Sequence, residues 1–545
     1  MNRKIELLDC TLRDGGYCNY WKFGTENIPE IIAGLRKAKI EMIECGFLTD
    51  RVDYDEERTL YTQIEQADEM LRQAAALCGE NIQEWDCMPA LMINVGEYDV
   101  GTLPAASETK VKIIRLAFHK KNMDNALRDG GKIKELGYNV FLQPMVSMGY
   151  TDEEFLKLIE KANRLVPYAF YIVDSFGMMK EKDLLRYFML AETNLNKGIC
   201  LGFHPHNNLQ LAYANSRKFI EMDTERRLIL DVSVMGMGRG AGNLNGELMV
   251  SHMNEYFGKD YVLKPLLRII DEILNVFYKK RYWGYSLPNY LAAVYRVHPN
   301  YAMYLEEKQT LTLENMEDIL KKIDGEKAVS FDKHLIEKLY VERPDEDLHT
   351  DSHLREFVSK IKGAMALIIA PGRSAAEQAG DIIEFAARSR AVTFSVNFCY
   401  PYMTTDYVFI SNQRRFKDLA HADGSKIIVT SNIHMEHAFI RAAYSDLLVS
   451  NELVEDNAVL MLIQFLYRCG AAKVVLAGMD GYSYHPDRDY INSKMEIISE
   501  IEAIDEKNKA IRESIEGLSK KIPISTVTAP KYIHIHDYVN SVERP

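Results

Sequence analysis

Over residues 4–238, short apolar runs alternate with amphipathic stretches, and this alternation limits the choice of fold more than any other feature. Apolar strands separated by crossover helices are the pattern of a parallel sheet. Eight strand–helix units favour a closed (β/α)8 TIM barrel over an open doubly wound sheet, which usually has fewer strands. The predicted strands are residues 4–9, 41–46, 86–93, 112–118, 138–145, 169–173, 199–203 and 229–235.

The first helix shows the pattern on which these predictions depend. Four apolar residues, Ile28, Ile31, Ile32 and Leu35, recur at helical spacing and form one stripe. Thr25 is placed to cap the helix at its N-terminus. A helix with one apolar stripe is the element that covers the outside of a parallel barrel.

After residue 305 the helical stretches become rich in Glu, Lys and Asp, and this change in composition predicts a domain boundary. Residues 1–305 form the barrel domain, and residues 306–355 are predicted to be a charged helical linker that includes the exposed-looking segment 341–353. A second alternation then predicts a smaller, Rossmann-like open α/β domain over residues 356–545. Its predicted strands are residues 364–370, 391–397, 406–411, 426–430, 446–449 and 473–478.

The composition narrows the class of partner. Hydrophobic residues make up 47% of the chain and charged residues 27%, as in soluble globular proteins, and the net charge is -13. Nucleic acid and anionic membranes attract positive charge, so we expect small-molecule partners instead. No apolar stretch reaches the length of a spanning helix, and the start MNRKIELLDC lacks a signal-peptide core. We therefore expect a cytoplasmic protein, and we also expect a homo-oligomer.

Three of the predicted barrel strands lead into residues that can carry chemistry. The sequence DCTLRDGGY places Arg13 and Asp14 at the carboxyl end of the first strand, where barrel enzymes have their active sites. The sequence GFHPHNN follows the seventh strand, and its His204 and His206 leave the same face because they are two residues apart. The glycine-rich MGMGRGAGN after the eighth strand brings Asn243 to the same mouth. Two imidazoles and a carboxylate can bind a divalent metal.

Each of these pieces has an ordinary explanation when it stands alone. An RDG sequence is a common turn, and two histidines on a strand are often polar packing. Their joint position at the carboxyl ends of the strands favours the metal site.

These motifs resemble those of a known family, the pyruvate-carboxyltransferase-like metal-dependent lyases and synthases. HMG-CoA lyase, isopropylmalate synthase and 4-hydroxy-2-oxovalerate aldolase are among its members. The resemblance covers roughly residues 1–300. It is carried by DCTLRDGG, IECGF, YIVDSFGMM, FHPHNNLQLAYANS and GMGRGAGN.

The resemblance implies a role for each matching residue. Asp14, His204 and His206 would bind the metal, with Asn243 as a further candidate ligand, and Arg13 would hold the enolate or a carboxylate. Such a metal acts as a Lewis acid on a carbonyl oxygen. Manganese or magnesium is our expectation, and cobalt and zinc are the alternatives.

The chain departs from the family at the position of the catalytic base. The aldolases have a histidine just after RDG and the synthases have Glu-Gln, whereas this chain has Gly16 and Tyr17. Tyr17 is therefore either an acid–base residue or a residue that packs against the substrate. Glu44 is either a substrate-binding group or a charge that closes the barrel rim. Tyr290 and His298 lie in a stretch resembling the segment that closes the mouth, and either could instead be core.

The second domain offers a weaker pattern. Gly372, Arg373 and Ser374 turn the chain from a strand into a helix, where amides and the Arg373 side chain could receive a phosphate. Asp480 follows a later strand and could face a ligand, although Asp-Gly is also an ordinary turn. The domain faintly resembles sialyltransferase-like and pterin-pyrophosphokinase-like domains, so a nucleotide sugar is one candidate partner. A docking or scaffolding role is the alternative.

The function that we expect is carbon–carbon bond cleavage or formation between a 2-oxo acid of the pyruvate type and an aldehyde. A Claisen-type acyltransferase or lyase acting on a thioester is one alternative. Another is a barrel without catalysis, whose C-terminal domain carries a glycan-related function.

Overall fold

The computed structural model describes residues 4–341, 350–416, 427–433, 435, 438–485, 489–492, 495 and 503–535. These residues form two compact units. The barrel unit comprises the residues up to Met303 together with Leu320–Phe331, and the C-terminal unit comprises Tyr304–Ile319 and the described residues from Asp332 onward. Residues 306–355, predicted as a linker, are thus shared between the units, and most of the predicted exposed segment, residues 342–349, lies outside the described residues.

The barrel unit is a closed parallel sheet. Its strands follow the neighbour order β1-β9-β8-β7-β6-β5-β4-β2, and pairing of β1 with β2 closes the circle, while the two-residue β3 adds to β2. All eight predicted runs form strands of this circle, so the (β/α)8 barrel is confirmed. The strands are β1 Ile5–Asp9, β2 Met42–Leu48, β3 Leu60–Tyr61, β4 Met88–Asn94, β5 Ile113–Phe118, β6 Asn139–Pro144, β7 Ala169–Asp174, β8 Cys200–Pro205 and β9 Leu228–Val232.

The helices of this half of the chain cover the barrel with their apolar faces. In α1 the predicted stripe of Ile28, Ile31, Ile32 and Leu35 is fully buried. Thr25 does not cap this helix, because the residue at the N-cap is Glu26, which makes no side-chain capping bond. The helices are α1 Asn27–Lys37, α2 Ile64–Cys78, α3 Met123–Glu135, α4 Asp152–Leu165, α5 Glu181–Asn194, α6 Ala212–Glu221, α7 Gly246–Phe257, α8 Leu263–Ile269, α9 Asn275–Lys280, α10 Leu287–Val294 and α11 Pro299–Glu307.

The C-terminal unit contains a second parallel sheet, in the order β14-β13-β12-β11-β10-β15-β16, which confirms the separate α/β domain. The strands are β10 Met365–Ile369, β11 Val392–Val396, β12 Tyr407–Ile410, β13 Ile427–Thr430, β14 Ile440–Ala442, β15 Lys473–Ala477 and β16 Ile524–Thr526. Among the remaining helices, α13 Gly325–Val329 lies in the barrel unit. The others are α12 Leu313–Leu320, α14 Lys333–Val341, α15 Thr350–Ile361, α16 Ser374–Glu377, α17 Ala379–Ser389, α18 Gln413–Phe416, α19 Tyr444–Leu447, α20 Ala458–Arg468 and α21 Ile504–Ser519. None of the helices within the described ranges has the length and apolar character that crossing a membrane requires.

One strand prediction in this unit was wrong. Residues 446–449 are not a strand, since α19 occupies Tyr444–Leu447 and the strand β14 lies just before it. The sequence there contains two short apolar runs in succession, and a run of three or four residues does not distinguish a strand from a buried helix. The last strand, β16, was not predicted.

Candidate metal centre at the barrel mouth

Asp14, His204 and His206 meet at the carboxyl end of the barrel. The chain leaves β1 at Asp9 and turns back at once, which places Asp14 beside the two histidines delivered by β8. One potential ligand atom of each residue lies within 4.8 Å of the others, and all three side chains are buried. Asn243, in the loop after β9, bridges to His206 through its backbone. The structure therefore brings together the four residues predicted as metal ligands.

The donor atoms of this cluster fit a divalent cation. The Oδ2 atom of Asp14 and the Oδ1 atom of Asn243 are buried and have no hydrogen-bond partner among the described residues. Burial would raise the pKa of Asp14, but the charge of Arg13 holds it well below its usual range. Burial also lowers the pKa of His206 to about 3. For Asp14 and His206, a carboxylate and a neutral imidazole are the protonation states that a metal requires.

A buried carboxylate orients one of the histidines. The Nδ1 atom of His204 lies 2.8 Å from Oδ2 of Asp231, on β9. Such a contact fixes the ring tautomer and leaves Nε2 with its lone pair available to a metal. Asp231 also accepts a hydrogen bond of 3.0 Å from the hydroxyl of Tyr171, and Gly202 leaves room for that ring, since a Cβ there would lie 2.3 Å from it. Asp231 therefore fixes the orientation of the His204 ring.

A chain of ion pairs connects Asp231 to Asp14 through the barrel interior. Arg115, on β5 and fully buried, pairs with Asp231 and also with Glu44, on β2, at 2.8 Å. The Nε atom of Arg13 donates to the same Glu44 oxygen at 2.8 Å, and its Nη1 atom donates to Asp14. The predicted residue Glu44 is fully buried and bridges two arginines, so Arg13 is held in one orientation.

The other predicted residues of the barrel, Tyr17, Tyr290 and His298, lie in three different parts of the barrel unit. Tyr17 follows Asp14 on the Gly15–Cys18 turn, and its half-buried ring packs edge-on against Trp21 at 4.7 Å. Tyr290 lies on α10 with 39% of its surface exposed. His298 packs against Phe176, with ring centroids 5.3 Å apart.

The sequence interpretation missed Arg115, Asp231, Tyr171 and Arg239. Arg115 and Asp231 interrupt the apolar runs KIIRLAF and LILDV, and a charge inside a buried strand is the signal that could have found them. Arg239 is the cation in the glycine-rich stretch after β9, and Tyr171 gave no signal of its own.

The residues predicted to bind a cofactor in the C-terminal unit lie where β10 and β15 end. The amide of Ser374 donates to Oδ2 of Asp480 at 2.8 Å, so this amide is already occupied by a carboxylate. The amide of Gly372 donates to the carbonyl of Gly478, and Arg373 is exposed. Asp480 and Gly372 line a cavity of about 350 Å³, whereas Arg373 and Ser374 do not.

Comparison with known proteins gives matches to the barrel. An HMGL-like family model matches residues 4–264. The 4-hydroxy-2-oxovalerate aldolase of Geobacillus thermodenitrificans is 28% identical over 280 residues, which cover 50% of this chain and 76% of that protein. The enzyme of the same name from Pelotomaculum thermopropionicum is 27% identical over 318 residues, covering 53% and 86%. The solved HMG-CoA lyase of Bacillus subtilis is 14% identical with a TM-score of 0.39, covering 51% of this chain and 94% of that chain.

Proposed function

Because the barrel of this chain belongs to the HMGL-like family, a family of aldolases and lyases that depend on a divalent metal, we propose that it is a metal-dependent aldolase. Its substrates in this proposal are a 2-oxo acid of the pyruvate type and an aldehyde. Relatives named 4-hydroxy-2-oxovalerate aldolase support this reaction class over the others in the family.

The observation that carries the proposal is the meeting of Asp14, His204 and His206 beside Arg13. The three residues would hold the cation, with Asn243 beside them. The chemistry that such a cation supplies when bound is Lewis-acid polarisation of a carbonyl oxygen. Manganese or magnesium is the proposed metal, and cobalt and zinc suit the same donors.

The protein's own residues supply a fixed positive charge and a proton carrier. In condensation, a proton leaves C3 of the 2-oxo acid, that carbon bonds to the aldehyde carbon, and the aldehyde oxygen takes up a proton; cleavage reverses these steps. Arg13 stabilises the negative charge that develops on the enolate, and its pairing with Glu44 means that it need not reorient. Tyr17 is the proposed proton carrier, since it lies on the turn that directly follows Asp14.

We expect Arg13→Lys to slow the exchange of the C3 protons of pyruvate by about a hundredfold, the scale of losing one donor to a developing oxyanion. Lysine keeps the charge but not the planar fork that pairs with Glu44 and Asp14. Proton NMR of pyruvate in D2O with Mg²⁺ measures this exchange. Arg186→Lys, on the outer helix α5, is the matched control.

Two outcomes would contradict these proposals. Exchange at the wild-type rate in Arg13→Lys would remove the role of Arg13. Absence of pyruvate exchange in the wild-type protein with each of Mg²⁺, Mn²⁺, Co²⁺ and Zn²⁺ would remove the aldolase, and exchange of acetyl-CoA methyl protons instead would favour the thioester alternative.

We propose a separate binding site in the C-terminal unit. Strands β10 to β14 extend to one side of the sheet and β15 and β16 to the other, so the strand order reverses between β10 and β15. In open parallel sheets, ligands bind beyond the carboxyl ends of the strands at such a reversal. The cavity of about 350 Å³ lies at this edge, and Asp480 lines it.

The chemistry of this cavity suits a hydroxyl-rich ligand. Asp480 is 2% exposed, and its Oδ1 atom has no partner among the described residues. A buried carboxylate oxygen of this kind accepts hydrogen bonds from sugar or ribose hydroxyls. The amides of Asn397 and Asn412 line the same cavity, together with three basic residues, Lys308, Arg415 and Lys507, and five carboxylates besides Asp480. A nucleotide sugar, which joins hydroxyls to phosphates, is the ligand that we propose.

We expect a nucleotide sugar at about one hundred times its Kd to stabilise the protein by about 2.7 kcal/mol. A thermal-shift panel of nucleotides and nucleotide sugars measures this effect. Asp480→Asn should reduce the shift, because an amide offers one acceptor atom in place of two. The matched control is Asp446→Asn, because the side chain of Asp446 is exposed on α19. No shift across the panel would favour the scaffolding alternative.

A further inference from the structure

Arg239 lies at the barrel mouth beside the candidate metal centre. It sits in the glycine-rich loop after β9, and this loop is fixed on both sides of it. The carbonyl of Gly238 accepts a hydrogen bond of 3.2 Å from the thiol of Cys18, on the turn that follows Asp14. The amide of Ala241 donates to Oδ1 of Asn208 at 2.8 Å. The backbone thus holds Arg239 next to the residues that would bind the metal.

The N–H donors of the Arg239 guanidinium have few hydrogen-bond acceptors among the described residues. Its Cζ atom lies 5.0 Å from the centre of the Tyr17 ring, and its Nη2 atom makes one long contact, 3.5 Å, with the carbonyl of Ser175. The Nε atom is buried and has no hydrogen-bond partner among the described residues. Among the described residues, no carboxylate lies within 4.0 Å of the Arg239 guanidinium. Arg13 and Arg115, by contrast, each pair with two carboxylates.

The described groups around Arg239 form no ion pair with it. Burial and the positive charge of Arg239 lower the pKa of the neighbouring His298 to about 3, so this imidazole is neutral. Asp14, three residues before Tyr17, already pairs with Arg13. A half-buried guanidinium with unused donors is costly unless an anion binds it.

We propose that Arg239 binds an anionic group, a carboxylate or a phosphate, on the aldehyde substrate. This inference rests on the proposed aldolase function and names the substrate class for it. The 2-oxo acid has Arg13 and the metal centre as its own partners, so a second arginine at the mouth is available to the second substrate. A planar fork of donors is suited to carboxylates and phosphates alike.

The test uses the full chain with Mg²⁺ and pyruvate and compares two matched pairs of aldehydes. Succinic semialdehyde and butanal differ by a carboxylate, and glyceraldehyde 3-phosphate and glyceraldehyde differ by a phosphate. We expect the wild-type protein to prefer the anionic member of at least one pair in kcat/KM, and the pair with the larger preference identifies the anion. Arg239→Gln should lower that preference by about 10- to 100-fold, and Arg239→Lys should lower it less.

Arg186→Gln is the matched control, since Arg186 also lies over a tyrosine ring but pairs with Asp152 on the outer surface. Equal kcat/KM within both pairs, or a preference that Arg239→Gln leaves unchanged, would overturn the proposal. A rise in the KM of pyruvate without a change in preference would also overturn it, because Arg239 would then serve the 2-oxo acid.

A binding measurement separates this inference from the aldolase function. Calorimetric titration of succinic semialdehyde and of glyceraldehyde 3-phosphate, without pyruvate, does not depend on turnover. Weaker binding in Arg239→Gln by about 10- to 100-fold supports the anion site even if pyruvate exchange is absent. If the wild-type protein bound these two anionic aldehydes no more tightly than butanal and glyceraldehyde, the anion site would be overturned even if pyruvate exchange is found.

Discussion

Replacing His204 by alanine is expected to weaken Mn²⁺ binding by more than about a hundredfold. Loss of a residue that only orients a metal ligand already costs about 10- to 100-fold in affinity, and loss of the ligand itself should exceed this. His204 is one of three buried donors whose atoms lie within 4.8 Å of one another, so its loss leaves two of the three proposed ligands. Electron paramagnetic resonance of free Mn²⁺ in a titration measures the affinity directly.

His252→Ala is the matched control for this experiment, because His252 is also a buried imidazole but lies on α7, among Tyr213 and Tyr256. Circular dichroism of both variants checks that the barrel is folded. Equal Mn²⁺ affinity in the His204→Ala and wild-type proteins would exclude His204 as a ligand. Weak Mn²⁺ binding by all three proteins would redirect the search to another divalent metal.

Replacing Arg115 by leucine is expected to destabilise the barrel by about 3–5 kcal/mol. The change removes a fully buried cation and leaves Asp231 and Glu44 without one of their charge partners. Breaking a buried ion pair from one side costs more than the pair contributes, because the remaining charge stays out of water. Urea unfolding followed by circular dichroism measures the loss, and Arg115→Lys should lose less since it keeps the charge.

Arg164→Leu provides the comparison on the outer surface. Arg164 pairs with Glu160 along the exposed face of α4, and pairs of this kind contribute about 0–1 kcal/mol. If Arg115→Leu were no more destabilised than Arg164→Leu, the interior chain of ion pairs would have no role in holding the barrel together.

The barrel could be predicted from the sequence because its strands are buried on both faces. Strands such as β5 and β7 are apolar almost throughout, and the helices between them have clear apolar stripes, as in α1. In the C-terminal unit, the pattern of apolar residues no longer identifies the secondary structure where the strands and helices are short. The three-residue strands β14 and β16 leave too few positions for a pattern to identify them.

The candidate site also contains residues that the sequence could predict and contacts that it could not. Asp14, His204 and His206 stand next to strand ends, so their meeting follows from the closure of the barrel alone. The contacts behind them do not follow from it. Arg115 and Asp231 are 116 residues apart, and Arg115 and Glu44 are 71 apart, so local spacing cannot show that they pair. Only the register of the closed sheet brings these side chains together.

The interior chain of ion pairs has a consequence for charge balance. Two arginines, Arg13 and Arg115, face three carboxylates, Asp14, Glu44 and Asp231, so the enclosed groups sum to 2 − 3 = −1. A divalent cation would change this sum to +1, and the singly charged 2-oxo acid of the proposed reaction would return it to zero. In this proposal the five ion-paired groups would therefore be balanced when metal and substrate are both present, and neither would achieve this balance alone.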